Sequence, residues 1–97
     1  MFYCKVHKIH GRNETVIAVC DKSLLGKELR KNPKFEVSKN FYFEKECDKQ
    51  ETLNLLEKCT IANLLGKEIV QLVIDKKFIT EENVILIGEI PHAQIVK

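Results

Sequence analysis

No stretch of this 97-residue chain stays apolar for long. The most apolar segment, 69–74, is interrupted by Gln71 and falls far short of the roughly 20 residues that a membrane span needs. The first nine residues carry Lys5 and Lys8 and lack the continuous apolar run of a secretory signal. Both absences lead us to expect a soluble, cytoplasmic protein with no membrane partner. The chain also lacks any Cys-x-x-Cys, because Cys4, Cys20, Cys47 and Cys59 are 16, 27 and 12 positions apart. A structural zinc site usually shows such a close pair, so no metal is expected. Charge of one sign is missing too: 16 Lys/Arg against 14 Asp/Glu leave a net +2, far from the excess that by itself announces a nucleic-acid binder.

What is present is an ordinary globular composition, 44% hydrophobic and 31% charged, too apolar for a disordered tail. The length supports one core and no linker divides it, so 1–97 reads as a single domain. Residues 2–9 and 14–21 are rich in β-branched and aromatic types and read as two strands. Gly11 and Asn13 between them make a β-hairpin. A three-residue loop at 11–13 sets Cys4 opposite Cys20 and gathers Phe2, Cys4, Val6, Val16, Ala18 and Cys20 on one apolar face.

Asp21 can cap a short turn over 22–25 that ends at Gly26. The stretch 27–34 is polar and closes at Asn32-Pro33, before a short strand near 35–37 and an aromatic cluster, Phe41-Tyr42-Phe43. From Asp48, the spacing of Leu53, Leu55, Leu56, Cys59 and Ala62 predicts an amphipathic helix that Gly66 interrupts. A second helix follows over about 67–77, with Lys67, Gln71 and Asp75 as its polar stripe. Thr80, Glu82 and Asn83 make a turn, 84–87 a strand, and Gly88 and Pro91 break the chain before an extended 92–97. The fold class is therefore α+β: an N-terminal β-hairpin, two central helices, and C-terminal strands completing a mixed sheet. The segments 24–28 and 64–68 both read Leu-Leu-Gly-Lys-Glu, taken here as two Gly-terminated helix ends.

No catalytic constellation emerges. The Gly-Lys pairs at 26–27 and 66–67 are followed by Glu, where a phosphate-binding loop wants Ser or Thr. His7 and His10 are three apart, point to opposite faces of a strand, and read as surface histidines. Cys4 and Cys20 as cross-strand neighbours could be bonded, but packing as small buried hydrophobes is the favoured reading. A nucleophile built from Cys20 or Cys47 with His92 has no supporting local sequence. No cofactor is expected.

Charge distribution says more than net charge. Residues 5–39 hold nine Lys/Arg and four acids, a balance of +5, whereas 40–97 hold seven and ten, a balance of −3. The hairpin's outer face would carry Tyr3, Lys5 and His7, with Arg12 at its turn and Lys27, Arg30, Lys31 and Lys34 in the following loop. Basic side chains interleaved with aromatics suit contact with phosphates and bases. In the C-terminal segment, His92 and Gln94 project to one side of an extended chain, and Ala93 and Ile95 to the other.

Three blocks then become recognisable: Val16-Ile17-Ala18-Val19-Cys20-Asp21 with Leu24-Leu25-Gly26-Lys27, Thr60-Ile61-Ala62-Asn63-Leu64-Leu65-Gly66, and Ile90-Pro91-His92-Ala93-Gln94. In order and spacing the chain resembles the archaeal domain-of-unknown-function family 424 over essentially its whole length. The resemblance implies a small archaeal cytoplasmic domain and brings no catalytic residues with it. It singles out Asp21, Gly26, Asn63, Gly66, Pro91, His92 and Gln94. Two functional expectations follow. The first is a non-enzymatic module that binds RNA or a ribonucleoprotein through its basic N-terminal half. The alternative is a small-molecule site or enzyme around Asn63, His92 and Gln94, with Asp21 as a further pocket residue.

Overall fold

The computed structural model describes residues 1–9 and 11–97, so the expectation for His10 lies outside the described residues. The chain is α+β, as the sequence predicts. A mixed six-stranded sheet has the order β5-β1-β2-β6-β8-β7, made from β1 (Phe2–Ile9), β2 (Glu14–Asp21), β5 (Lys45–Cys47), β6 (Ile61–Leu65), β7 (Ile85–Ile87) and β8 (Ile90–Val96). A separate hairpin joins β3 (Glu28–Lys31) to β4 (Lys34–Glu36), where a polar loop was expected. The helices are α1 (Lys39–Tyr42), α2 (Lys49–Lys58) and α3 (Lys67–Asp75). The two long helices begin where the two expected ones do, and α1 is an additional short one.

Both faces of the sheet are covered, and side-chain alternation decides which residue serves which face. On one face Phe2, Cys4, Ile17, Val19, Ala62, Leu64, Ala93 and Ile95 pack against α2 and α3 through Leu56, Ile69, Val70 and Val73. On the other, Ala18, Cys20 and Leu65 pack with Leu24, Val37 and Tyr42 under α1 and the β3–β4 hairpin, with Leu29 and Phe35 alongside. Gly88, in the turn between β7 and β8, seats that hairpin: a Cβ there would lie 2.2 Å from the Leu29 carbonyl oxygen.

The hairpin register differs from the expected one. Cys4 lies opposite Val19 and Tyr3 opposite Cys20, one position away from the predicted pairing. A one-residue slip moves a strand's side chains to the other face. Cys4 therefore shares its face with Ile17 and Val19, while Ala18 and Cys20 look the opposite way. Cys4 is instead joined by a disulfide to Cys47 of the neighbouring edge strand, where Phe2 pairs with Cys47, and Cys20 and Cys59 are free and buried.

The expected helix running to Gly66 is also corrected. It begins under the Asp48 cap, whose carboxylate accepts from the Glu51 amide at 2.8 Å, but ends at Lys58. Ile61–Leu65 is a central strand, parallel to β2 and antiparallel to β8. Strands buried on both faces read as near-continuous apolar runs, and over five residues such a run cannot be told from a helix by periodicity. Gly66 accordingly ends a strand and stands at the N-cap of α3, not at a helix C-terminus. Pro91 lies inside β8, paired with Leu86 of the edge strand, and does not interrupt it.

Candidate functional site

Asp21 is a good test of what the sequence can place. It does not cap the adjacent turn, which has no side-chain cap. Its two carboxylate oxygens accept from the amides of Glu68 and Ile69, each at 2.9 Å, and so cap α3 from the end of a strand more than forty residues away. Burial raises its carboxyl pKa, against the downward pull of those two amides. Asp21 is thus a fold-closing residue and does not line the cleft described next.

Asn63 and His92 do converge. Asn63 on β6 and His92 on β8 project from adjacent strands toward α1, and His92 Nε2 lies 2.6 Å from Asn63 Oδ1. The Tyr42 hydroxyl donates to the same oxygen at 3.3 Å. These groups line one end of a cleft of about 280 Å³, completed by Phe35, Glu36, Ser38 and Phe41. Local chemistry fixes that wall. Ser38 caps α1 by accepting from the Phe41 amide, and the register puts Phe35 beside Arg30 on the β3–β4 hairpin. Phe41 stacks on His7 with ring centroids 4.9 Å apart and meets Tyr42 edge-on at 4.9 Å.

The Tyr42–Asn63–His92 end of the cleft is built from neutral polar groups. Burial lowers the His92 pKa, so near neutral pH its imidazole is uncharged. Burial, and after it the neighbouring Cys20, pushes the Tyr42 hydroxyl pKa up, which keeps its proton on as a donor. The Cys20 thiol is itself pushed up to about 12 by burial and by Asp21, the wrong direction for a nucleophile. Cys47 is tied up in its disulfide, so the Cys–His arrangement has no usable thiol. Such a site can bind and orient a ligand by hydrogen bonding and aromatic contact. It offers no activated nucleophile. Among the described residues, no group of three or more His, Cys, Asp or Glu side chains is clustered to hold a metal ion.

Gln94 is exposed and does not reach this cleft. It borders a shallower depression on the other flank of His92, with Asn83 and Ile85. The basic candidates divide into two groups. Tyr3, Lys5 and His7 do not form a bare outer face, because α1 covers them: Lys5 donates to the Asn40 carbonyl at 2.8 Å, His7 donates to the Phe41 carbonyl at 2.9 Å, and Tyr3 packs edge-on against Phe43. His7 is therefore half-buried and hydrogen-bonded, not a surface histidine. Arg12, Lys27, Arg30, Lys31 and Lys34 remain exposed, the last three on the β3–β4 hairpin beside the cleft. The sequence reading missed Phe35, Glu36, Ser38, Phe41 and Tyr42 as site residues. The 41–43 aromatic cluster was the one available signal.

Among the described residues, no helix is long and apolar enough to cross a membrane. No curated protein matches the chain. In fold it is similar to an uncharacterized conserved protein from Methanopyrus kandleri, whose crystal structure aligns over 98% of this chain and 91% of that one, with a TM-score of 0.75 and 26% identity. Residues 9–97 match the family described as "Protein of unknown function (DUF424)", and the chain belongs to that family.

Proposed function

We propose that this DUF424 protein is a non-enzymatic RNA-binding module of the cytoplasm that accepts an unpaired base in the Asn63–His92 cleft. The observation that carries the reading is a juxtaposition. An aromatic cleft with an amide and an imidazole at one end opens beside a hairpin exposing Arg30, Lys31 and Lys34. Unpaired bases are recognised by stacking on aromatic side chains and by hydrogen bonds to their edges, while cations alongside hold the phosphates. Arg30 is partly preset for this role. Its Nε donates to the Pro33 carbonyl at 3.1 Å, which fixes the guanidinium and leaves its outer N–H groups free.

The test is fluorescence anisotropy with labelled single-stranded RNA across a salt series. Binding that weakens steeply as salt rises is expected. Affinity independent of salt, or no binding at low salt, overturns the reading. A second reading, a small-molecule site in the same cleft, is favoured by the burial that keeps His92 neutral. It predicts binding of a free ligand that is insensitive to both salt and the hairpin cations.

A further inference from the structure

We infer that the cleft selects guanine over the other three bases, an inference that rests on the RNA-binding reading above. The argument starts from the one amide in the site. Asn63 Oδ1 already accepts two hydrogen bonds, from Tyr42 and His92. A hydroxyl and a neutral imidazole nitrogen can each donate or accept, so whichever way the amide is turned one end meets Tyr42 and His92 and the other is left for a ligand. Among the described residues, Asn63 Nδ2 has no hydrogen-bond partner. Every buried side-chain nitrogen and oxygen among the described residues is hydrogen-bonded, so Nδ2 is open to the cleft. Asn63 therefore keeps one end of its amide for a ligand.

Among the described residues, Glu36 is the one carboxylate lining the cleft, and ionised it offers acceptors only. Its side chain is 54% exposed, and its ion pair with Lys34 is long, at 3.8 Å, so it is free to engage a ligand. The ligand must then present donors to Glu36, with a polar group beside them within reach of the Asn63 amide. Guanine has two adjacent donors, N1–H and the N2 amino group, which a carboxylate can take together, with the O6 acceptor next to them. Adenine and cytosine each set a ring acceptor beside their single amino group, which faces the carboxylate unfavourably. Uracil has one N–H between two carbonyls. Phe35 and Phe41 supply the apolar walls, and about 280 Å³ is at the small end of ligand pockets, suited to one base.

The test uses labelled oligouridine with a single central base, either G, A, C, U or inosine, which lacks the N2 amino group of guanine. The G oligonucleotide should bind about tenfold tighter than A, C or U, with inosine between, as expected for one bidentate contact. Glu36→Gln should reduce G to the level of A without changing the salt dependence or the melting temperature. Equal affinity for all four bases, or an unchanged G preference in Glu36→Gln, overturns the guanine inference and leaves RNA binding standing. Failure of every oligonucleotide to bind at low salt overturns both.

Discussion

The carboxylate of Asp21 occupies the space that a side chain on Gly66 would need: a Cβ there would lie 2.2 Å from Asp21 Cγ. Gly66 also has φ 129° and ψ 155°, a backbone region essentially confined to glycine. The end of β2 and the junction between β6 and α3 are thus one interlocked unit. All three sequence blocks meet there for a structural reason, since the Gly66 amide also donates to the Pro91 carbonyl at 2.9 Å. Gly66→Ala should lower stability by at least about 3 kcal/mol, combining backbone strain with displacement of the cap. The check is urea denaturation, read as a lower midpoint with an unchanged slope.

Asp21→Ala should cost about 2 kcal/mol, because it leaves the Glu68 and Ile69 amides without their acceptor, and Ile69 is buried. The two substitutions should not add. With Asp21 already truncated, Gly66→Ala loses its steric partner and retains only the backbone cost. A double-mutant cycle measures this coupling, and strict additivity would mean that the contact carries no energy.

His92 makes stability depend on pH in a defined direction. Its folded pKa is lowered from the ordinary 6.5 by burial, so below 6.5 the unfolded chain binds the proton more readily. Stability is therefore fully present above about pH 6.5 and falls as pH drops toward the folded pKa. His92→Gln should flatten the denaturation midpoint across that window. A wild-type midpoint that rises on acidification there would contradict the assignment.

Thiol titration tests the covalent arrangement. Denatured without reductant, the chain should show two reactive thiols, Cys20 and Cys59, and four after reduction. In the native state both free thiols are buried and should react slowly. The Cys4–Cys47 bond closes a sequence separation of 43, for which chain entropy gives a stabilisation of about 4 kcal/mol. The midpoint of Cys4→Ala/Cys47→Ala should fall accordingly.

The basic side chains should separate by role. Replacing Arg30, Lys31 and Lys34 together with alanine should weaken RNA binding and reduce the salt slope by about 2, at roughly 0.7 per phosphate contact for single strands. Lys5→Ala should leave that slope unchanged and affect stability, because its ammonium is engaged by the Asn40 carbonyl. A slope lost with Lys5 and kept without the hairpin cations would relocate the RNA surface.

By itself the sequence determined the elements whose signals are local. The β1 and β2 strands, the Asp48 cap, the polar stripe of α3 with its Gln71–Asp75 hydrogen bond, and the α+β class all follow from alternation, capping chemistry and helical spacing. It also put His92 and Gln94 on the face away from Ala93 and Ile95, since alternation along an extended chain is a local property. Tertiary structure decided the rest. Whether 61–65 is helix or strand depends on β2 and β8 lying on either side of it, which no window of that length records. The hairpin register, and with it the partner of Cys4, depends on which face each helix covers, and both faces are apolar. Asp21 could be recognised as a helix cap, but not as the cap of a helix beyond four intervening strands. The cleft likewise exists only because α1 folds back over β1 and brings Tyr42 to Asn63, a contact made by chain geometry between residues whose sequence neighbourhoods give no sign of each other.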